Sequence, residues 1–76
     1  MELNNFIEKC REQFVDADEI DLNENTLFRE IGSYDSLTGM SILFMIKDEF
    51  NIDLSEEIYK SKKTFKEIYD LIETMK

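Results

Sequence analysis

The chain has no histidine and no proline, only two glycines, Gly32 and Gly39, and one cysteine, Cys10. Without histidine a nucleophilic serine lacks its usual base, which argues against a serine hydrolase. Few glycines and no proline leave little to break helices in a sequence rich in Leu, Ile, Glu and Lys. One cysteine cannot form an internal disulfide and suits a reducing, cytoplasmic setting. Cys10 falls on an apolar stripe and reads as a small core residue. Positive charge is also scarce, with 9 basic residues against 18 acidic ones and a net charge of −9. That balance disfavours nucleic acid, whose phosphates need a basic surface. It either favours basic protein partners, drawn in by electrostatic steering, or only keeps a small protein soluble. No apolar run is long enough to span a membrane. Residues Met1 to Asn5 lack the basic start and apolar stretch of a signal peptide.

The 76 residues are 42% hydrophobic and 36% charged, the composition of a single folded domain over residues 1–76. So short a chain has one small core and no room for a deep enzyme pocket. Leu3, Phe6, Ile7, Cys10 and Phe14 recur at helical spacing and predict a first helix from about Leu3 to Phe14. A long polar connection follows, from about Asp16 to Asp35. Its apolar residues Ile20, Leu22, Leu27, Phe28 and Ile31 are expected to pin it to the core. Its acidic run is no calcium loop. Asp16 and Asp18 fit, but Ile20 holds the third ligand position, the following glycine is missing and Leu27 replaces the closing glutamate. No other metal-ligand set is evident. A second helix is expected from Ser36 to Phe50, and Ser55 caps a short third segment over Glu56 to Tyr59. Thr64 and Glu67 form a capping-box pair, followed by a stripe of Phe65, Ile68, Leu71, Ile72 and Met75. The fold class is therefore all-α: a small four-helix bundle of three longer helices and a short third one, with a long loop between helices 1 and 2.

The tripeptide Asp35-Ser36-Leu37 stands where that polar loop gives way to the second helix. At about 100° per residue, Ile42, Leu43, Ile46 and Phe50 gather on one side, while Leu37, Met40 and Phe44 gather nearly opposite. A small bundle cannot readily bury both faces. The second face is expected to be exposed, at least in part, as a partner-binding surface, unless the long loop folds over it. Ser36 has no evident catalytic partner, so no catalytic residue is assigned. A phosphoester on Ser36 is the more plausible chemistry, because a helix N-terminus offers free N–H groups and partial positive charge. Asp35 either caps the helix or is read by a modifying enzyme.

Around this tripeptide lie Phe28-Arg29-Glu30-Ile31-Gly32, then Ile42, Leu43 and Ile46, the stretch Glu49-Phe50-Asn51-Ile52-Asp53-Leu54, Ile58, Thr64 and the helix from Phe65 to Ile72. Over nearly its whole length the chain resembles an acyl carrier protein. The resemblance implies a right-handed bundle with a short third helix. It also implies that Ser36 is the attachment site of a covalent 4′-phosphopantetheine arm, placed there by a phosphopantetheinyl transferase from coenzyme A with magnesium. Asp35 and Leu37 would complete the modification motif. The arm would carry acyl groups as thioesters. The apolar core would shelter an acyl chain, and Leu37, Met40 and Phe44 would dock an acyl- or aminoacyl-loading enzyme, acyltransferases or ketosynthases. The protein itself would be a cytoplasmic monomer with no enzymatic activity, serving fatty-acid, polyketide-like or other specialised biosynthesis.

The chain departs from the family pattern in three places. Glycine stands three residues before Asp35, the residue before the motif is Tyr34, and the second helix carries Thr38-Gly39-Met40-Ser41, with little acidity, where fatty-acid-synthesis carriers are usually acidic. Gly39 inside a helix costs about 1 kcal/mol against alanine, so it is expected to loosen the first turn or admit a partner. These departures point away from general fatty-acid synthesis and toward a dedicated carrier, for example in polyketide-like synthesis, cell-surface-glycan modification or aminoacyl transfer. Two alternatives stand beside this: an aminoacyl or peptidyl carrier using the same serine, and an unmodified helical protein-interaction module. The lysines Lys60, Lys62, Lys63 and Lys66 read as a solvated turn.

Overall fold

Four stretches of helical periodicity become four α-helices in the computed structural model, which describes residues 1–76. They are α1 (Leu3–Arg11), α2 (Ser36–Phe50), α3 (Glu56–Lys60) and α4 (Phe65–Met75), and no strand forms. The long connection between α1 and α2 holds two short 3-10 turns, Ala17–Glu19 and Phe28–Glu30. Helix α1 packs against both α2 and α4. The shortest dimension is 20 Å, about two helix diameters, so one layer of side chains fills the middle.

Helix α1 stops at Arg11, short of the expected Phe14. The stripe nevertheless continues. The amides of Gln13 and Phe14 donate to the carbonyls of Cys10 and Arg11, a tightened turn of the kind that ends many helices. Phe14 is thereby buried with Phe6, Ile7 and Cys10. Burial pushes the Cys10 thiol far above its ordinary value, so it stays a protonated core group.

The ends of the other helices follow their capping residues. Asp35 caps α2 by accepting from the Thr38 amide. At its far end Asn51 takes the left-handed conformation and its amide donates to Lys47 O, a common helix stop. Ser55 accepts from the Ile58 amide at the start of α3. Thr64 and Glu67 form a complete capping box on α4.

The α2 core face is rotated from the expected one. The buried residues are Thr38, Gly39, Ile42, Met45 and Ile46, whereas Leu43 and Phe50 are only half-buried against the core. Met45 shares a groove with Lys9, Glu12 and Gln13 at the end of α1, while Leu43 borders an open cleft toward α3. On α4, Phe65, Ile68 and Ile72 are buried, Leu71 is half-buried and Met75 is exposed.

The long loop is pinned by Phe28, which is fully buried, with Ile20, Leu22 and Ile31 packed partly against the core. Leu27 departs from expectation. Its side chain is 46% exposed, and it holds the loop through a backbone bridge to Thr64. Beside it, the Arg29 guanidinium lies over the rings of Phe28 and Tyr59, 4.8 and 4.9 Å from their centroids. It donates to Tyr59 O at 2.7 Å and to Lys62 O. Arg29 thus ties the loop to the end of α3.

Replacing Arg29 by Ala is expected to cost about 1.5–3 kcal/mol, the range for a hydrogen bond involving a charged group, read as a lower urea midpoint. The Glu67 carboxyl accepts from the amides of Lys63 and Thr64, which hold it below its ordinary value of 4.5. A carboxyl lowered in the folded state contributes fully above its unfolded value and loses that contribution as pH falls through the lower, folded one. Thermal melts at decreasing pH should therefore show a shallower loss below pH 4.5 in Glu67→Gln than in the parent.

Candidate functional site

Ser36 is the first residue of α2 and is exposed. Its hydroxyl makes no hydrogen bond within the protein, in contrast to its neighbours. Asp35 Oδ1 accepts from Thr38 N at 2.9 Å and from Thr38 Oγ1 at 3.0 Å. These bonds hold the Asp35 carboxyl below its ordinary value. The same bonds turn the carboxylate back into the helix and leave Ser36 facing outward. No acidic residue occupies the first turn of α2. The positive end of a 15-residue helix therefore lies beside the serine.

Two surfaces meet at Ser36. The first is apolar: Leu37 is 72%, Phe44 64% and Met40 46% exposed. The long loop does not fold over them. The second is a cleft of about 510 Å³ between α2 and α3, open to solvent. Ser36, Gly39, Met40 and Leu43 line it from α2, Tyr59 and Lys60 from α3, and Arg29 and Tyr34 from the loop.

The cleft shows what Gly39 is for, and the reason is internal. A Cβ built on Gly39 would sit 2.6 Å from the Tyr34 hydroxyl and 3.4 Å from its ring carbon. Tyr34 fills that space, and its hydroxyl lies 3.0 Å from that of Tyr59. Neither a loosened turn nor an approaching partner is needed to explain the glycine. Tyr34, Tyr59 and Arg29 are the residues of this site that sequence reasoning did not assign. The faint signal was a helix-interior glycine five residues after an aromatic residue.

Nothing beside Ser36 is built as a catalytic base. Burial, and then the bond to Tyr34, pushes the Tyr59 phenol well above its ordinary value. Asp35 is occupied by Thr38. What the arrangement offers instead is an unencumbered hydroxyl at a helix N-terminus, with a cleft on one side and a bare apolar face on the other. A phosphate-linked group fits that geometry, since no protein acceptor competes for the hydroxyl and the helix end favours the phosphate charge.

The sequence model of the family described as "phosphopantetheine attachment site" matches residues 6–72. The chain belongs to this family. It is a carrier of the acyl-carrier-protein type, whose prosthetic group is 4′-phosphopantetheine. Such carriers are not catalysts; they hold intermediates for enzymes that act on them. No match to a curated protein or to a solved structure was found. No helix of this carrier is long and apolar enough to cross a membrane.

Gly39→Ala should gain none of the roughly 1 kcal/mol that alanine usually brings to a helix interior, because its Cβ collides with Tyr34. In a Tyr34→Phe background the collision with the hydroxyl is gone. A double-mutant cycle by urea denaturation should then give a coupling of about 0.5 kcal/mol or more.

Proposed function

We propose that Ser36 bears the 4′-phosphopantetheine arm, that Asp35 and Leu37 complete the motif read by the modifying transferase, and that Leu37, Met40 and Phe44 dock the enzymes that load and use the cargo. The observation that carries this reading is the unpartnered Ser36 hydroxyl at the start of α2, beside an uncovered apolar face. Attachment forms a bond from Ser36 Oγ to the pantetheine-bearing phosphorus of coenzyme A. The pyrophosphate bond breaks, the nucleotide part leaves and the hydroxyl proton is lost. Once bound, the group supplies a thiol that carries acyl cargo as a thioester.

The residues of this chain have separate tasks in that scheme. Asp35 holds the first turn of α2 so that Ser36 faces outward. The apolar face gives partner enzymes a surface to grip, since an exposed cluster of large side chains gains free energy when covered. The net charge of −9 draws in partners with basic surfaces. A tether on a small body keeps the cargo at high effective concentration near any enzyme that docks.

The pathway we favour is a specialised one in the cytoplasm, polyketide-like or concerned with other dedicated acyl transfer, instead of general fatty-acid synthesis. Supporting this, the first turn of α2 has no acidic residue to meet the basic partners of a fatty-acid synthase. The same observation favours an aminoacyl or peptidyl carrier as the second reading. An unmodified interaction module is the reading that remains if Ser36 accepts no arm.

The decisive experiment is intact mass after incubation with coenzyme A, magnesium and a promiscuous phosphopantetheinyl transferase. The parent should gain one phosphopantetheine and Ser36→Ala none. No gain in the parent, with the transferase active on another carrier, overturns the assignment. Met40→Glu and Phe44→Glu should change stability by no more than about 0.5 kcal/mol, as for other surface positions, yet slow the reactions of partner enzymes. Unfolding of either variant would instead mark those side chains as structural.

A further inference from the structure

Sequence reasoning expected the apolar core to shelter an acyl chain. The floor of the cleft beside Ser36 does not lead there. Tyr34 and Tyr59 lie across it with their hydroxyls 3.0 Å apart. The Tyr34 hydroxyl is seated against the bare backbone of Gly39, and Tyr59 is only 3% exposed. Behind this pair comes a second layer of rings. Phe28 stacks on Phe65 with centroids 4.7 Å apart, and lies 5.7 and 5.8 Å from Tyr34 and Tyr59. Phe28, Phe65 and Ile42 are fully buried. A chain passing from the cleft into the interior would have to part the two phenols and displace stacked rings. Both hydroxyls would then be left beside alkyl carbon, without the partners that a buried polar group needs.

We propose that Tyr34 and Tyr59 form a closed floor, so that cargo on Ser36 stays in the open cleft and this carrier serves short acyl groups, aminoacyl groups included, in preference to long alkyl chains. The inference rests on Ser36 as the attachment site and adds the class of cargo. Its physical basis is that an alkyl chain gains free energy only where it is taken out of water. Each methylene left in an open cleft forgoes the part of that gain that belongs to its exposed side. The cleft is open to solvent, and Arg29, Lys60, Glu56 and Asp35 stand among its lining residues beside Met40 and Leu43, so a chain lying in it keeps part of its surface in water. A short group with a polar substituent loses nothing in such a place.

The test compares the whole protein loaded at Ser36 with acetyl- and octanoyl-phosphopantetheine, each transferred from its acyl coenzyme A. Thermal melting and proton–proton contacts by NMR are the readouts. Burial of just two methylenes would shift the folding equilibrium about tenfold, which in a domain of this size raises the Tm by about 5–10 °C. The expected result is that the octanoyl and acetyl forms of the parent melt together. Neither should show contacts from the cargo to Phe28, Phe65 or Ile42. In Tyr34→Ala, or the milder Tyr34→Phe if the first does not fold, the octanoyl form should melt above the acetyl form. Octanoyl contacts to those buried residues in the parent overturn the closed floor, and a length-dependent rise in Tm without them overturns the preference for short cargo; either result leaves Ser36 as the attachment site intact. A parent that accepts no arm from either acyl coenzyme A overturns the attachment site itself, and the cargo inference with it.

Discussion

The insertion of Phe28 between Tyr59 of α3, Phe65 of α4 and Tyr34 of the loop is the contact on which the rest of the architecture hangs. The segment between α1 and α2 is too long to be ordered by its own turns, and fixing each residue costs about 1–2 kcal/mol of backbone entropy. One fully buried ring in its middle contributes about 1.5–3 kcal/mol toward that cost, and Ile20, Leu22 and Ile31 add their partial burial. Phe28 stacks on Phe65 and meets Tyr34 and Tyr59, so the loop, α3 and α4 are joined through a single aromatic cluster. The neighbouring residue works in the same direction. Arg29 covers two of those rings and reaches the carbonyls at the end of α3. With the loop held there, Asp35 and Ser36 arrive at a defined position and α2 begins where its cap directs.

The size of the domain explains why α2 has one buried face and one bare one. Two helix layers enclose one sheet of side chains, and the apolar residues of α2 exceed what that sheet can take. Thr38, Gly39, Ile42, Met45 and Ile46 are covered; Leu37, Met40 and Phe44 are not. In a protein that only had to fold, such a face would be a liability. In a carrier whose cargo is worked on by other proteins, we propose it as the part they hold. The surface charges add little to stability. Lys9–Glu49, Lys47–Asp53 and Lys66–Asp70 are solvent-exposed pairs of a kind worth about 0–1 kcal/mol each. Even with these pairs formed, the acidic excess of the chain persists.

Much of the candidate site was legible because its logic is local. Asp35 and Ser36 stand at a change from loop to helix, and the bonds from Asp35 to Thr38 span three residues. The Thr64–Glu67 capping box has the same short reach. The exposed face could be read from helical periodicity, since Leu37, Met40 and Phe44 lie within about 60° of one another at 100° per residue. The core face could not be read as well. Leu43 and Phe50 belong to the same broad apolar arc as Ile42 and Ile46, and only the position of α3 and its cleft decides which of them are fully covered. Leu27 shows the same limit, for its backbone is used and its side chain is not.

From the sequence alone came the helical class, the four helices, the caps of α3 and α4, the serine at the head of α2 and the two-sided character of that helix. All of these depend on residues within a turn or two of each other, where dihedral preferences and helical spacing decide. The tertiary structure alone decided that Tyr34 rests on Gly39, that its hydroxyl meets Tyr59 twenty-five residues away, and that Arg29 bonds the carbonyl of Lys62. Those contacts arise only when loop, α2 and α3 are brought together by burial of Phe28. No local pattern encodes which distant ring will fill the space a glycine leaves.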